Sequence, residues 1–252
     1  MSILVIGGLG FIGSNLVSQL RQANQSVDIL DIKKESNVLD YQKYDTVFHL
    51  GGISSVKAGY DEPLYAFDNV RFLIDVLESI KETKTKLIFA SSFMCFNSDL
   101  SPYPLSKKVC ESYCEMYRKL YKVNVSVARL SNVYPNPNGN ICKLLEQKKQ
   151  NKPLEIYGDG NQRRDFVHVD DVISALIHIS NLNLYRNYNV CSGELKSFNE
   201  LAAVIGGDVK YLKCELPFKE EVVNFLGLKP DIKFWKPEIF IEDYLKENLG
   251  VK

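Results

Sequence analysis

The chain has 252 residues, 45% of them hydrophobic, with 31 lysines and arginines balanced by 31 aspartates and glutamates. This length suits one large domain or a domain with an appendage, and the balanced charge excludes a basic field that would recruit nucleic acid or an anionic membrane. The six cysteines lack C-x-x-C spacing, no run approaches the roughly 18 apolar residues of a membrane span, and a first strand starting at residue 2 leaves no room for a signal peptide. A cytoplasmic chain with reduced thiols and no metal site is expected.

Residues 3–6 are apolar and break into Gly7-Gly8-Leu9-Gly10-Phe11-Ile12-Gly13, after which the pattern turns helical. Gly8, Gly10 and Gly13 satisfy G-x-G-x-x-G, and Gly7, Gly10 and Gly13 satisfy G-x-x-G-x-x-G. Either reading gives a strand, a tight turn and a helix whose unpaired N–H groups face a pyrophosphate. The next apolar run, residues 27–32, carries Asp31 at 18 residues past Gly13. A carboxylate there accepts hydrogen bonds from the adenosine ribose and repels a 2′-phosphate, which favours NAD over NADP. Lys33 and Lys34 keep NADP open. Ile32 and the following strand end, Leu50-Gly51, join the set of candidate cofactor residues.

Apolar runs at 3–6, 27–32, 46–50, 86–90 and 123–128 alternate with helical stretches, so a doubly wound parallel sheet is expected. The crossover at 33–44 is short, which predicts a pared-down sheet on that side. After Arg129 come Pro135-Asn136-Pro137-Asn138-Gly139, a Lys/Gln-rich helix and the polar loop 158–162. These mark a smaller interleaved region. The expected organisation is a dinucleotide-binding domain over 1–131, rejoined by 166–191, and a substrate-binding region over 132–165 and 192–252. Ser197 and Glu200 have capping-box spacing, and residues 237–249 read as a final helix.

Ser91-Ser92 follows the fourth apolar run, which places hydroxyls at the carboxyl end of the sheet, where open α/β folds bind ligands. Tyr103 and Lys107 stand four residues apart and share a face if residues from Pro104 on are helical. An ammonium beside a phenol favours the phenolate, so Tyr103 is a candidate base toward a sugar hydroxyl, with Ser92 on the same oxygen. His49, His168 and His178 share no ligand spacing and read as structural.

Through these motifs the chain resembles an extended short-chain dehydrogenase/reductase of the NAD-dependent nucleotide-sugar epimerase/dehydratase family. Val47 to Gly52 resembles the family's H-L-A-A strand, and Asn69-Val70 its N-V helix start. Residues 129–134 are similar to R-x-x-N-V-Y, and residues 158–171 match G-D-G-x-Q-x-R-D-F-V-H-V-D-D almost without gaps. The resemblance implies catalysis by Ser92, Tyr103 and Lys107, cofactor contacts from the glycine turn, Asp31 and Asn69, and diphosphate contacts from Asn132 and Arg164. It also implies a homodimer paired through the helix that follows Lys107. The activity it favours is 4-epimerisation of a nucleotide sugar through a 4-keto intermediate, in surface-polysaccharide or deoxysugar synthesis. An NAD(P)H-dependent 4-keto-6-deoxysugar reductase and a non-catalytic NAD sensor or scaffold are the alternatives. Three departures stand out: Phe93-Met94 occupy the acidic pair of the dehydratases, Asn37 replaces an adenine-contacting aspartate, and no arginine follows Arg186, leaving Lys219 as the candidate second phosphate clamp.

Overall fold

The computed structural model describes residues 2–31, 40–54, 61–213 and 227–250. Ile32, Lys33, Lys34, Asn37 and Lys219 lie outside the described residues. The chain divides into two compact units, the first of Met1–Leu130 with Ile173–Tyr188, the second of Ser131–Val172 with Asn189–Lys252.

In the first unit, β1 (Ser2–Ile6) leads into α1 (Phe11–Gln22), β2 (Ser26–Leu30), β3 (Thr46–His49), α2 (Pro63–Ile80), β4 (Lys86–Ser92), α3 (Pro102–Tyr121) and β5 (Val125–Leu130). The expected parallel sheet is present, ordered β2-β1-β3-β4-β5-β9, where β9 is Asn187–Val190. The pairings of β1 with β2 and β3, of β3 with β4 and of β4 with β5 are all parallel. Their sequences are near-continuous apolar runs because helices cover the sheet. In α1 the buried residues Gly13, Leu16, Val17 and Leu20 recur at helical spacing. On α2, Leu73, Leu77 and Ile80 are fully buried against β4 and β5 residues and α3. Each such side chain stabilises the fold by about 1.5–3 kcal/mol.

The second unit holds β6 (Asn132–Tyr134), α4 (Asn140–Lys149), β7 (Leu154–Tyr157) and β8 (Arg163–His168). The helix α5 (Val169–Asn181) runs from this unit into the first. Beyond β9 come β10 (Leu195–Ser197), α6 (Phe198–Ile205), β11 (Val209–Leu212) and α7 (Ile241–Leu249). One sheet is β10-β8-β6 and another β11-β7. A separate core of Tyr134, Leu144, Leu154, Phe166, Leu201 and Leu245 fills this unit. Since β8 pairs with β6 and β10, residues 166–172 stay with the second unit, and the return to the first begins at Ile173 rather than at 166. The capping box forms as its spacing predicts: Ser197 Oγ accepts from Glu200 N at 3.1 Å and Glu200 accepts from Ser197 N at 2.6 Å. The last helix starts at Ile241, four residues later than expected. The backbone N–H groups of Glu238 and Ile239 donate to Asp171, each at 3.0 Å, which holds that stretch out of the helix.

Candidate active site

The glycine turn closes at the carboxyl end of β1. Gly7 has φ +78° and donates to the Leu30 carbonyl at 2.7 Å. A Cβ on Gly7 would stand 2.5 Å from the Gly51 nitrogen, and one on Gly13 would stand 2.1 Å from the Gly7 oxygen. Both approaches are backbone to backbone, so only glycine fits. A Cβ on Gly8 meets chiefly the side chain of Ile29. The G-x-x-G-x-x-G reading is therefore the one the backbone uses most strictly. Gly10 precedes α1 without any side-chain cap, leaving first-turn N–H groups for an anion, and it is exposed. Phe11 and Ile12 open the helix, each partly buried. Asp31 follows β2 directly, beside the turn, because β2 pairs with β1 in register through Leu30 and Ile6. A cradle that added Cβ atoms would fill, opening onto a helix N-terminus and flanked by a carboxylate, fits a dinucleotide.

Tyr103 and Lys107 lie on the buried face of α3, which starts at Pro102 and so includes the tyrosine in its first turn. Lys107 is 7% exposed; its ammonium donates to the Ala90 carbonyl at 2.9 Å and sits over the Phe89 ring, 4.8 Å from the centroid. Burial lowers its pKa. Burial raises the Tyr103 phenol above its ordinary value, and the neighbouring Ser92 hydroxyl pulls it back. Desolvation dominates at the phenol, and the ammonium is directed at Ala90 and Phe89. Ser92 caps the short 3-10 turn Phe93–Asn97, accepting from Met94 N at 3.2 Å. Asn69, buried on α2, accepts from Ile53 N at 2.7 Å and donates to Ile53 O and to Ser106 Oγ. It ties the loop after β3, with Leu50 and Gly51, to α3.

Sequence reasoning missed Glu111, one turn past Lys107. Its carboxylate is 3% exposed and accepts from Ser91 Oγ at 2.7 Å, from Cys95 Sγ at 3.2 Å and from Arg129 through Nε and Nη2, the latter at 2.6 Å. Asn187 adds a bond at 3.3 Å. The signal was a carboxylate in the apolar stripe of α3, which demands a cation partner, and Arg129 stands next to the last residue of β5. Burial and Glu111 push the Cys95 thiol up to about 12, and burial pushes Cys110 up to about 11, so these thiols are inert.

Within the second unit, Asn132 starts β6 and donates to the Asp165 carbonyl at 2.9 Å. Asn132 pairs with Phe166, so Arg164, two residues earlier on β8, lies on the same face of the sheet. Burial pushes the Arg164 guanidinium down to about 10. Arg163 donates to the Leu195 carbonyl at 2.8 Å and pairs with Glu200 at 3.1 Å. Among the described residues no group of three or more His, Cys, Asp or Glu side chains is placed to hold a metal, and no helix is long and apolar enough to cross a membrane.

These features define a dinucleotide-dependent oxidoreductase fold with a Ser-Tyr-Lys set. The chain belongs to the NAD dependent epimerase/dehydratase family, whose sequence model matches residues 3–191, and it is an NAD-dependent enzyme of that family. A candidate UDP-glucose 4-epimerase of Methanocaldococcus jannaschii is 30% identical over 295 residues, covering 97% of this chain and 96% of that one. A UDP-glucuronate 4-epimerase of Thermodesulfobacterium geofontis is 27% identical, over 89% of this chain and 77% of its own. The UDP-glucuronic acid 4-epimerase of Bacillus cereus, solved with UDP-glucuronic acid and NAD, superposes with a TM-score of 0.81 at 23% identity over 99% of this chain and 98% of its own.

Proposed function

We propose that the chain is an NAD-dependent 4-epimerase of a UDP-linked hexose. The observation that carries the reading is the grouping of Ser92, Tyr103 and Lys107 around the carboxyl end of β4, in a unit that also holds the glycine turn. In this reading the first unit binds NAD through Gly7, Gly10, Phe11, Ile12, Gly13, Asp31, Leu50 and Gly51, with Asn69 fixing the loop. The second unit binds the nucleotide sugar, with Asn132 and Arg164 on the diphosphate, to which a guanidinium is suited. The cytoplasm is the compartment in which this enzyme would supply sugars for polysaccharide or deoxysugar synthesis.

Bound NAD supplies the acceptor and donor of the C4 hydride. Tyr103 takes the proton from the 4-hydroxyl and returns it to the same oxygen after the sugar has turned. Ser92 donates to that oxygen as it becomes a carbonyl. Lys107 holds the nicotinamide ribose and keeps a positive charge beside the phenolate as it forms. Phe93, buried, and Met94 carry no acid or base, which argues against elimination of water as in the dehydratases. Two copies would pair through α2 and α3, where Leu64, Phe67, Met116, Leu120 and Tyr121 stand exposed.

The test is proton NMR of UDP-hexoses incubated with the protein and substoichiometric NAD. The expected result is a C4 epimer with no net NADH from the wild type, and turnover lowered about 10²- to 10⁴-fold in Tyr103→Phe with NAD binding retained. Full turnover by Tyr103→Phe would remove the phenol from the mechanism. In a parallel incubation with a nucleotide-linked 4-keto-6-deoxyhexose and NAD(P)H, stoichiometric consumption of the reduced cofactor would make the chain a ketoreductase, and unchanged sugars in both incubations would leave the non-catalytic reading.

A further inference from the structure

Lys107 is a buried ammonium, and among the described residues no carboxylate lies within ion-pair distance of it. Such a charge needs compensation. One N–H is directed at the Ala90 carbonyl at 2.9 Å, and the ammonium rests over the Phe89 ring, 4.8 Å from its centroid. We propose that Phe89 is a positioning residue for Lys107, its ring face holding the ammonium by a cation–π contact in the direction that the cofactor requires. The proposal rests on the reading that Lys107 binds the nicotinamide ribose.

Two contacts from different directions are what aim this ammonium. A lysine stem has four rotatable bonds, and a single hydrogen bond to Ala90 leaves the ammonium free to swing about that carbonyl. The ring of Phe89 removes that freedom while accepting no N–H in the ordinary sense, so the remaining donors stay available for ribose hydroxyls. An aliphatic residue would fill the same core volume beside Leu87 and Cys110 but offer no negative face. The plane of the ring is itself fixed. His49 is the register partner of Phe89 across β3 and β4, and the two rings meet nearly at right angles, 80° apart, with centroids separated by 5.6 Å. His49 is 1% exposed and burial holds its pKa down to about 3, with the Lys107 charge acting in the same direction. The imidazole therefore stays neutral and adds no second cation beside the ammonium.

The experiment replaces Phe89 with 4-fluoro-, 3,5-difluoro- and 3,4,5-trifluorophenylalanine, which weaken the negative ring face step by step with little change of shape. The dissociation constant for NAD is measured by calorimetry for each, in the natural chain and in a Lys107→Met background, with melting temperatures to confirm an intact fold. The Lys107 ε-methylene proton shifts report the ring directly. The expected result is a stepwise loss of NAD affinity, reaching roughly two- to thirty-fold, with Lys107 in place and none in the methionine background. The ε-methylene protons should lie upfield of those of the exposed lysines. A flat series, or equal losses in both backgrounds, would overturn the proposal and leave Phe89 as core packing alone. A graded series in a protein that epimerises no sugar would sustain the role of Phe89 and sink the epimerase reading, so the two fail separately.

Discussion

The histidine that ends β3 has neither ring nitrogen satisfied by a hydrogen-bond partner among the described residues, although both are buried. Its folded pKa of about 3 lies below the ordinary 6.5, so the unfolded chain binds a proton in that window that the native chain refuses. The stability that His49 leaves intact is fully present above pH 6.5 and is lost as pH falls from there toward 3, at a limiting slope of about 1.4 kcal/mol per pH unit. Melting curves between pH 7 and 4 should therefore fall less steeply for His49→Phe than for the natural chain, and parallel curves would show that the imidazole titrates on the surface. The sequence marked His49 as structural but did not reveal its contact with Phe89. That pairing is set by strand register, which no local pattern at residue 49 or 89 encodes. Tyr103 and Lys107 were legible because four-residue spacing on a helix fixes a common face. The direction of the Tyr103 pKa was not, since it depends on how deeply the first turn of α3 is buried.

Strands and helices of the first unit are held around Ser92, Tyr103 and Lys107 by one carboxylate. Glu111 joins α3 to Ser91 on β4, to Cys95 in the turn after it, to Arg129 on β5 and to Asn187 on β9. Removing it leaves the Arg129 guanidinium, only 19% exposed, without its ion pair. Glu111→Ala should destabilise the protein by about 3–5 kcal/mol, read from denaturant unfolding, because breaking a largely buried pair also strips the Ser91 hydroxyl of its acceptor. A loss below about 1 kcal/mol would mean that Arg129 finds water. Element boundaries followed the sequence where local chemistry decides them, as at the Ser197 capping box and at Gly250, whose φ of +67° ends α7. They departed where distant groups intervene. Asp171 holds residues 238 and 239 outside α7, and β8 remains with β6 and β10 although its apolar character alone suits the larger sheet. The glycine turn was fully legible as a motif, whereas the choice between its two spacings depended on the Leu50-Gly51 strand end, 43 residues beyond Gly7 in the chain.

For the molecule as a whole, the balanced charge, the six-stranded sheet and the match of the family to residues 3–191 agree on one class of enzyme. If α2 and α3 pair two copies, Leu120→Glu should lower the sedimentation coefficient to that of a monomer while leaving the melting of the isolated fold nearly unchanged; a natural chain that is already monomeric at micromolar concentration would remove the dimer. The sugar was not legible, because it is chosen by pocket shape on side chains that no motif names. The central claim is that hydride leaves C4 and returns to the opposite face of the same carbon. It is tested most directly with a UDP-hexose deuterated at C4, incubated with the protein and substoichiometric NAD and followed by NMR. The account predicts an inverted C4 that retains its deuterium, with no net NADH. Inversion with loss of deuterium to solvent, or no inversion with any UDP-hexose offered, would contradict it.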